Sequence, residues 1–112
     1  MDDRIKKYLY DILNSIDAID EYLNHRRDFN DFKRKVIKRA IEREFEIIGE
    51  AIKRILLIDA DVEISHSKRI IGLRNHISHA YDSVLDEILW GIIVRHLPLL
   101  ESEVKTLLEH DE

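Results

Sequence analysis

The chain has 112 residues, of which 45% are hydrophobic and 37% charged, a size and balance that suit one domain spanning residues 1–112. One Pro and three Gly are too few to punctuate a many-stranded sheet, so the composition favours helices. The absence of Cys excludes disulfides and thiolate chemistry. A net charge of −5 argues against a general grip on nucleic acid, although it leaves room for a local basic cleft.

Nothing in the sequence resembles a targeting or membrane segment. The start, Met1 to Arg4, is acidic, and no apolar run of signal-peptide type follows it. The longest apolar stretch, Ile88 to Val94, is far shorter than the roughly 20 residues that span a bilayer. We therefore expect a soluble cytoplasmic protein that does not associate with membranes.

Apolar residues at three- and four-residue steps predict two long helices in the first half of the chain. The first runs from about Asp3 to Asn24 and the second from about Asn30 to Leu57, with Asp28 or Asn30 as its N-cap. The apolar stripe of the first contains Ile5, Tyr8, Leu9, Ile12, Ile16, Ile19 and Leu23. That of the second contains Phe32, Val36, Ala40, Ile47 or Ile48, Ala51, Ile52 and Ile55.

Basic residues concentrate in the first half of the second predicted helix: Lys33, Arg34, Lys35, Lys38, Arg39 and Arg43. Acidic residues follow them closely: Glu42, Glu44, Glu46 and Glu50. We expect most of these cations to form a solvated helix face whose charge the glutamates balance.

Three further helices are predicted after a loop over residues 58–67. The third runs from about Lys68 to Ala80 and the fourth from about Val84 to His96. Pro98 then either kinks the chain or starts a last amphipathic helix. The short loops make sequential helices antiparallel, so we predict an all-α, up-and-down four-helix bundle with an additional C-terminal helix. Stripes this wide often leave apolar surface for a partner.

Polar groups cluster between Arg74 and Tyr81, on the third predicted helix. At about 100° per residue, Arg74, Ser78 and Tyr81 fall nearly in line, and Asn75 and His79 share the adjoining stripe. Arg matches phosphate oxygens and stabilises charge that develops on them, whereas His exchanges protons near neutral pH. Because RNA carries its own 2′-hydroxyl nucleophile, these groups would suffice to cleave it without a metal. A purely structural role, such as helix capping by the His, stays open.

Other chemistries find less support in the sequence. Glu63 and His66 match the Glu-x-x-His unit of di-iron bundles, but that site needs a second copy on another helix. His76 and His79 are spaced to ligate a metal, yet no third ligand is indicated. The remaining histidines, His25, His96 and His110, are isolated in the sequence and are interpreted as structural or solvated. We expect no cofactor and no metal.

The segment from Arg74 to Tyr81 reads R-x4-H-x-Y and follows Gly-Leu; Leu89-Trp90 and Leu97-Pro98-Leu99 come later in the chain. With these surroundings the chain resembles the HepT branch of the HEPN superfamily over nearly its whole length. The resemblance implies a helical-bundle homodimer whose two motifs face one cleft. It also implies a metal-independent endoribonuclease that acts as the toxin of a toxin–antitoxin pair.

The resemblance implies roles for individual residues. Arg74 and His79 match the catalytic positions, and Asn75 matches the supporting polar residue. Tyr81 matches the tyrosine that the cognate antitoxin, a minimal nucleotidyltransferase called MntA, modifies with AMP to silence the toxin. His76 has no role that we can assign.

The implied partners are therefore a second copy of the chain, an MntA-type antitoxin and an RNA substrate, with no DNA expected. HEPN-like bundles also serve as non-catalytic substrate-binding partners of a minimal nucleotidyltransferase, and the acidic net charge suits that alternative. A purely structural dimerisation domain is a third hypothesis, which leaves the polar cluster unexplained.

Overall fold

The computed structural model describes residues 1–79 and 83–110, with side chains described for residues 1–73 and 86–110. Within these ranges the chain forms six α-helices and no strand. In chain order they are α1 (Asp3–Tyr22), α2 (Phe29–Phe32), α3 (Lys35–Ile58), α4 (Ser67–His79), α5 (Ser83–Arg95) and α6 (Leu97–Glu109). The all-α prediction is confirmed, and α2 is a short additional helix.

The two long helices α1 and α3 pack against each other in antiparallel directions. Near the end of α1, the Tyr22 hydroxyl donates to Glu44 Oε2 at 3.3 Å. At the other end of the pair, Ile5 and Ile58 line one shallow pocket. The predicted α1 stripe is confirmed, because all its apolar members except the half-buried Tyr8 lie in the core.

The core joins all six helices. Side chains with at most 3% exposure include Leu9 and Ile12 of α1, Phe32 of α2 and Phe45 and Ile52 of α3. The later helices add further buried side chains: Ile70 and Leu73 of α4, Leu89, Ile92 and Ile93 of α5, and Leu97, Leu100 and Val104 of α6. The later helices, including the one that carries the polar motif, therefore share one core with the α1–α3 pair.

The second predicted helix is interrupted where the sequence indicated continuity. Arg34 has an extended backbone conformation, with φ −63° and ψ 126°, and it separates α2 from α3. Asp28 caps α2 as predicted, since its carboxylate accepts from the Asn30 N–H at 2.8 Å. On the inner side of α2, the Phe29 and Phe32 rings lie 5.7 and 5.5 Å from the Trp90 ring of α5.

The interruption changes which residues of α3 are buried. A continuous helix from Phe32 would place Val36 on the same face, but Val36 is 77% exposed. The inward stripe of α3 begins instead at Ile41 and continues through Phe45 and Ile48. The predicted burial of Val36 is therefore wrong, because one extended residue restarts the helix in a new rotational phase.

The later helices begin and end close to their predicted bounds. Pro98 lies in the first turn of α6, where its missing N–H costs no intrahelical hydrogen bond. The structure begins α4 one residue before the predicted Lys68, and the predicted last residue, Ala80, lies outside the described residues. None of the described helices combines the length and the apolar composition needed to cross a bilayer.

Candidate active site

Helix α4 is the scaffold of the polar motif, and its inner face fixes it to the bundle. Ile70 and Leu73 are 1% and 3% exposed, and α4 packs mainly against α3. Leu73 immediately precedes Arg74, so the buried anchor and the first motif residue are neighbours in the chain. The position of the motif is thus determined by core packing of the preceding turn.

The structure places Arg74, Asn75 and His79 on α4, because the helix is continuous from Ser67 to His79. Helix geometry separates positions 74 and 79 by about 7.5 Å along the axis and about 140° around it. The side chains of these three residues lie outside the described part of the structure, and Tyr81 lies outside it entirely. The helical placement of the first three residues is confirmed, whereas their roles and that of Tyr81 stay predictions.

Two contacts hold the chain at the start of α4. His66, in a left-handed conformation with φ 59°, packs its ring against that of His96 with 4.3 Å between the ring centroids. The Ser65 N–H lies 3.2 Å from both carboxylate oxygens of Glu103, and the Ser65 hydroxyl donates to Oε2 at 2.9 Å. Both partners belong to the α6 region, which therefore positions the N-terminal end of the motif helix.

An ion pair fixes the start of α5, the first helix after the motif. Lys38 Nζ lies 3.1 Å from Asp86 Oδ1, and the two side chains are 29% and 14% exposed. Glu42 lies close to both groups. Burial raises the pKa of Glu42, the positive charge of Lys38 opposes that rise, and the negative charge of Asp86 adds to it. At the junction of α3 and α5, the positive charge of Lys38 thus acts on two carboxylates, those of Asp86 and Glu42.

The contact between His66 and His96 has an electrostatic consequence. Burial lowers the pKa of His96, and the nearby His66, Arg69 and Arg95 lower it further. Although His96 is isolated in the sequence, folding brings its ring against a second imidazole, which agrees with the structural role that the sequence predicted for it. His96 is better suited to packing as a neutral ring than to carrying a charge.

The Glu63–His66 pair does not have the arrangement of a di-iron unit. That unit needs the two residues on consecutive positions of one helical face, whereas both precede α4 in non-helical backbone. Among the residues that the structure describes, no three His, Asp or Glu side chains are grouped to hold a metal ion. His76 lies on α4, with its side chain outside the described part.

A groove of about 330 Å³ lies between α1 and α3 and is lined by residues of those two helices. Its charges are already paired, with Lys7 Nζ 2.8 Å from Asp11 and Arg43 Nη1 3.6 Å from Glu46. Among the α4 side chains that the structure describes, those of residues 67–73, none lines this groove.

Comparison with known families decides what the motif helix belongs to. The family model for HepT-like ribonucleases matches residues 12–107, a range that includes all of α4. The chain belongs to the HepT-like ribonuclease family.

Individual relatives of this HepT-like protein agree with that assignment. "Putative RNase MJ1380" of Methanocaldococcus jannaschii is 35% identical over 90% of this chain and 94% of its own length. "Putative RNase TTE0752" of Caldanaerobacter subterraneus is 37% identical over 75% of this chain and 77% of its own length. "Probable ribonuclease HepT" of Thermococcus cleftensis is 32% identical over 91% of this chain and 94% of its own length. No solved structure matches the chain.

Proposed function

We propose that this HepT-like protein is a metal-independent endoribonuclease, acting in the cytoplasm as the toxin of a toxin–antitoxin pair, and that residues 1–112 form one domain. The observation that carries the proposal is the continuous helix α4, which holds Arg74, Asn75 and His79 within the range matched by the family model. Anchoring of α4 by Ile70 and Leu73 supports it, because a catalytic set needs a rigid scaffold.

The proposed reaction uses the nucleophile that RNA itself supplies. The 2′-oxygen attacks the adjacent phosphorus, the bond to the 5′-oxygen breaks, and a 2′,3′-cyclic phosphate and a free 5′-hydroxyl form. His79 either accepts the proton of the 2′-hydroxyl or donates one to the 5′-oxygen, and water carries the other proton. Arg74 stabilises the charge on the phosphate oxygens. Asn75 orients the imidazole or the phosphate.

The test is cleavage of single-stranded RNA by the purified protein in excess EDTA. We expect His79→Ala and Arg74→Ala each to slow cleavage by about 10²-fold or more, since general acid–base catalysis and charge stabilisation are each worth that much. Matched controls are His110→Ala, at an exposed position in the C-cap of α6, and Arg54→Ala, whose guanidinium pairs with Glu50 of the same helix. Wild-type rates in both motif variants, with melting temperatures unchanged, would remove these residues from the mechanism.

A second substrate tests the nucleophile separately. RNA with a 2′-O-methyl group at every ribose has no free 2′-hydroxyl, so we expect no cleavage of it at any enzyme concentration. The products of normal RNA should end in a cyclic phosphate. Cleavage of the methylated RNA would show that water, not the 2′-hydroxyl, attacks the phosphorus, and the proposed chemistry would be wrong.

We also propose a homodimer in which the two copies of α4 face one cleft. Helix α5 supports this because it is apolar on both sides: Leu89 and Ile93 are buried, yet Ile88 and Val94 remain 42% and 43% exposed. Exposed apolar side chains on the outer side of a helix favour contact with a partner. We expect light scattering to give twice the chain mass, and Ile88→Glu to give monomers without cleavage activity.

The proposed antitoxin partner is an MntA-type nucleotidyltransferase that transfers AMP to Tyr81. AMP would add negative charge and bulk two residues beyond His79, where it would repel an RNA phosphate. The alternative function is a non-catalytic partner subunit of such an enzyme, which the net charge of −5 favours slightly. A stable complex with the nucleotidyltransferase, without RNA cleavage at high protein concentration, would select that alternative.

A further inference from the structure

Four exposed cations lie where α2 gives way to α3. Lys33 and Arg34 form the break between the helices, Lys35 begins α3, and Arg39 follows one turn later. We call these four residues the basic edge. Their side chains are all exposed to solvent. Other exposed cations among the described residues are paired with a carboxylate, for example Arg4, Lys7, Arg54 and Lys105.

Acidic residues that precede the basic edge are engaged elsewhere. Asp28 caps α2 by accepting from the Asn30 N–H at 2.8 Å. Asp31 pairs with Arg26, with Nη2 2.9 Å from Oδ2. Among the described residues, no carboxylate forms an ion pair with Lys33, Arg34 or Lys35.

The glutamates that follow the basic edge do not balance it either. Glu44 accepts from the Tyr22 hydroxyl of α1, Glu46 pairs with Arg43, and Glu50 pairs with Arg54. Glu42 is close enough to Arg39 for that charge to affect its pKa, so Arg39 is partly compensated. The expected balance by these glutamates therefore holds for Arg43 and in part for Lys38 and Arg39, whereas Lys33, Arg34 and Lys35 form no ion pair among the described residues.

The backbone adds to the positive potential at this place. The first turn of α3 contains no acidic residue, and Arg34 occupies the N-cap without a side-chain hydrogen bond to the helix. No carboxylate within the first turn of α3 therefore offsets the positive end of the helix dipole. Charge and dipole act in the same direction here.

The basic edge lies near the start of α5, the helix that follows the motif in the chain. Lys38, one turn after Arg34, is ion-paired with Asp86 of α5 at 3.1 Å. Helix α5 begins at Ser83, four residues after the last residue of α4, His79. The start of α3 is thus adjacent to the helix that directly follows the proposed catalytic set.

Aromatic rings border the same edge. Lys33 Nζ lies 5.6 Å from the centre of the Phe29 ring, which in turn lies 5.7 Å from the Trp90 ring. Both rings are half-buried, so part of each remains accessible beside the cations. Proteins that bind single-stranded nucleic acid typically combine cations, which contact the phosphate backbone of the strand, with aromatic side chains on which the bases stack.

We propose that the basic edge binds the phosphate backbone of single-stranded RNA next to the bond that is cleaved. This inference rests on the proposed ribonuclease function for the identity of its ligand. It adds to that function a binding site, made of Lys33, Arg34 and Lys35 with a smaller contribution from Arg39, that lies outside the R-x4-H motif. The site explains how a protein of net charge −5 can hold a polyanion.

The test compares two triple variants that lower the net charge equally. Lys33→Gln/Arg34→Gln/Lys35→Gln removes the edge, and Lys7→Gln/Lys53→Gln/Lys105→Gln removes three exposed lysines elsewhere. The probe is a fluorescent single-stranded RNA with 2′-O-methyl riboses, which the proposed chemistry cannot cleave, and binding is followed by anisotropy over a range of salt concentrations. Melting temperatures verify folding, and the single variants Lys33→Gln and Lys35→Gln repeat the test with less change.

We expect the triple variant of the basic edge to bind RNA about tenfold more weakly, or worse. The slope of log Kd against log salt should fall by about 2, since each lost phosphate contact to a single strand lowers it by about 0.7. The control variant should change Kd less than about threefold, with its slope unaltered. Equal effects in the two variants, or none in the edge variant, would overturn the proposal. Displacement of the RNA by poly-glutamate as effectively as by unlabelled RNA would also overturn it.

Cleavage assays separate this inference from the proposed function. If wild-type protein cleaves RNA and the edge variant binds and cleaves like wild type, the site is wrong and the ribonuclease function stands. If wild-type protein binds RNA through the edge but never cleaves it, the site stands and the ribonuclease function is wrong. If both are right, the edge variant should raise KM about tenfold and leave kcat within about twofold, because phosphate contacts away from the reacting bond position the strand.

Discussion

Lys38 of α3 and Asp86 of α5 form an ion pair although 48 residues separate them in the chain, with Nζ 3.1 Å from Oδ1 and 3.3 Å from Oδ2. Asp86 is only 14% exposed, and Glu42 lies close by. The pair therefore connects the start of α3, where the basic edge lies, to the start of α5, the helix that follows the motif. The positive charge of Lys38 also offsets the repulsion between the carboxylates of Asp86 and Glu42.

We expect Lys38→Met to destabilise the protein by about 1–2 kcal/mol, between the values for exposed and fully buried ion pairs. Removing the cation leaves Asp86 without its ion-pair partner and leaves Glu42 with only the weaker attraction of Arg39. Asp86→Asn should cost less, because Lys38 keeps Glu42 as a partner. Urea denaturation measures both changes. The control is Lys105→Met, whose exposed pair with Glu101 should contribute less than about 0.5 kcal/mol.

The pH dependence of the same variant gives a second readout. Burial already raises the pKa of Glu42, and Lys38 opposes that rise, so removing Lys38 should raise it further. A carboxyl whose folded pKa is raised stabilises the fold below its unfolded pKa and loses that contribution as the pH increases. The difference between Lys38→Met and wild type should therefore shrink from pH 7 toward about pH 4. A stability difference that stays constant over this range would contradict the proposed interaction of Lys38 with Glu42.

Leu73 provides a test of how core packing positions the motif. It is 3% exposed and directly precedes Arg74 on α4, whereas Leu57 near the end of α3 is 72% exposed. Leu73→Ala should cost about 2–5 kcal/mol because it opens a cavity, and Leu57→Ala should stay within about 0.5 kcal/mol. In an RNA cleavage assay below the melting temperature, only Leu73→Ala should lower kcat. Equal stability of the two variants would show that α4 is not held by this side chain.

Much of the fold follows from local patterns in the sequence. The stripe of α1 predicts its buried face because three- and four-residue steps repeat without interruption from Ile5 to Leu23. The same reasoning failed at Val36, since the break at Arg34 contains neither Pro nor Gly and leaves no local signal. One residue of extended backbone altered the phase of the helix behind it.

The candidate site likewise has features that local sequence patterns predict and features that only the three-dimensional structure shows. Arg74, Asn75 and His79 are close in sequence, so helical periodicity alone placed them on one helix. The contacts that fix this helix could not be predicted, because Ser65 and Glu103 are 38 residues apart and no local spacing marks them as partners. The uncompensated charge of the basic edge was also hidden, since it depends on which partners the surrounding carboxylates select in three dimensions.

His96 predicts a stability change between neutral and mildly acidic pH. Burial, followed by the charges of His66, Arg69 and Arg95, lowers its pKa from the ordinary 6.5. The unfolded chain therefore takes up the proton first as the pH falls, so the contribution is complete above about pH 6.5 and is lost as the pH falls through the folded pKa.

We expect the melting temperature of wild type to fall more between about pH 7.5 and about pH 5 than that of His96→Phe, which keeps an aromatic ring against His66 but does not titrate. Carboxylates shared by both proteins cancel in this comparison. His110→Gln is the control, because His110 is exposed and should leave the wild-type profile unchanged. Identical profiles for wild type and His96→Phe would show that His96 does not couple folding to pH.

Tyr81 is the last test, because it separates regulation from catalysis. We expect incubation with the cognate nucleotidyltransferase and ATP to add adenylyl mass: the phenol oxygen bonds to the α-phosphorus, pyrophosphate leaves, and the phenol proton passes to a base or to water. The modified protein should lose RNA cleavage at an unchanged melting temperature. Tyr81→Phe should resist modification and remain an active ribonuclease, whereas Tyr10→Phe, at a 49% exposed position of α1, should be modified and silenced like wild type. Adenylylation that persists in Tyr81→Phe would assign the modification to another residue.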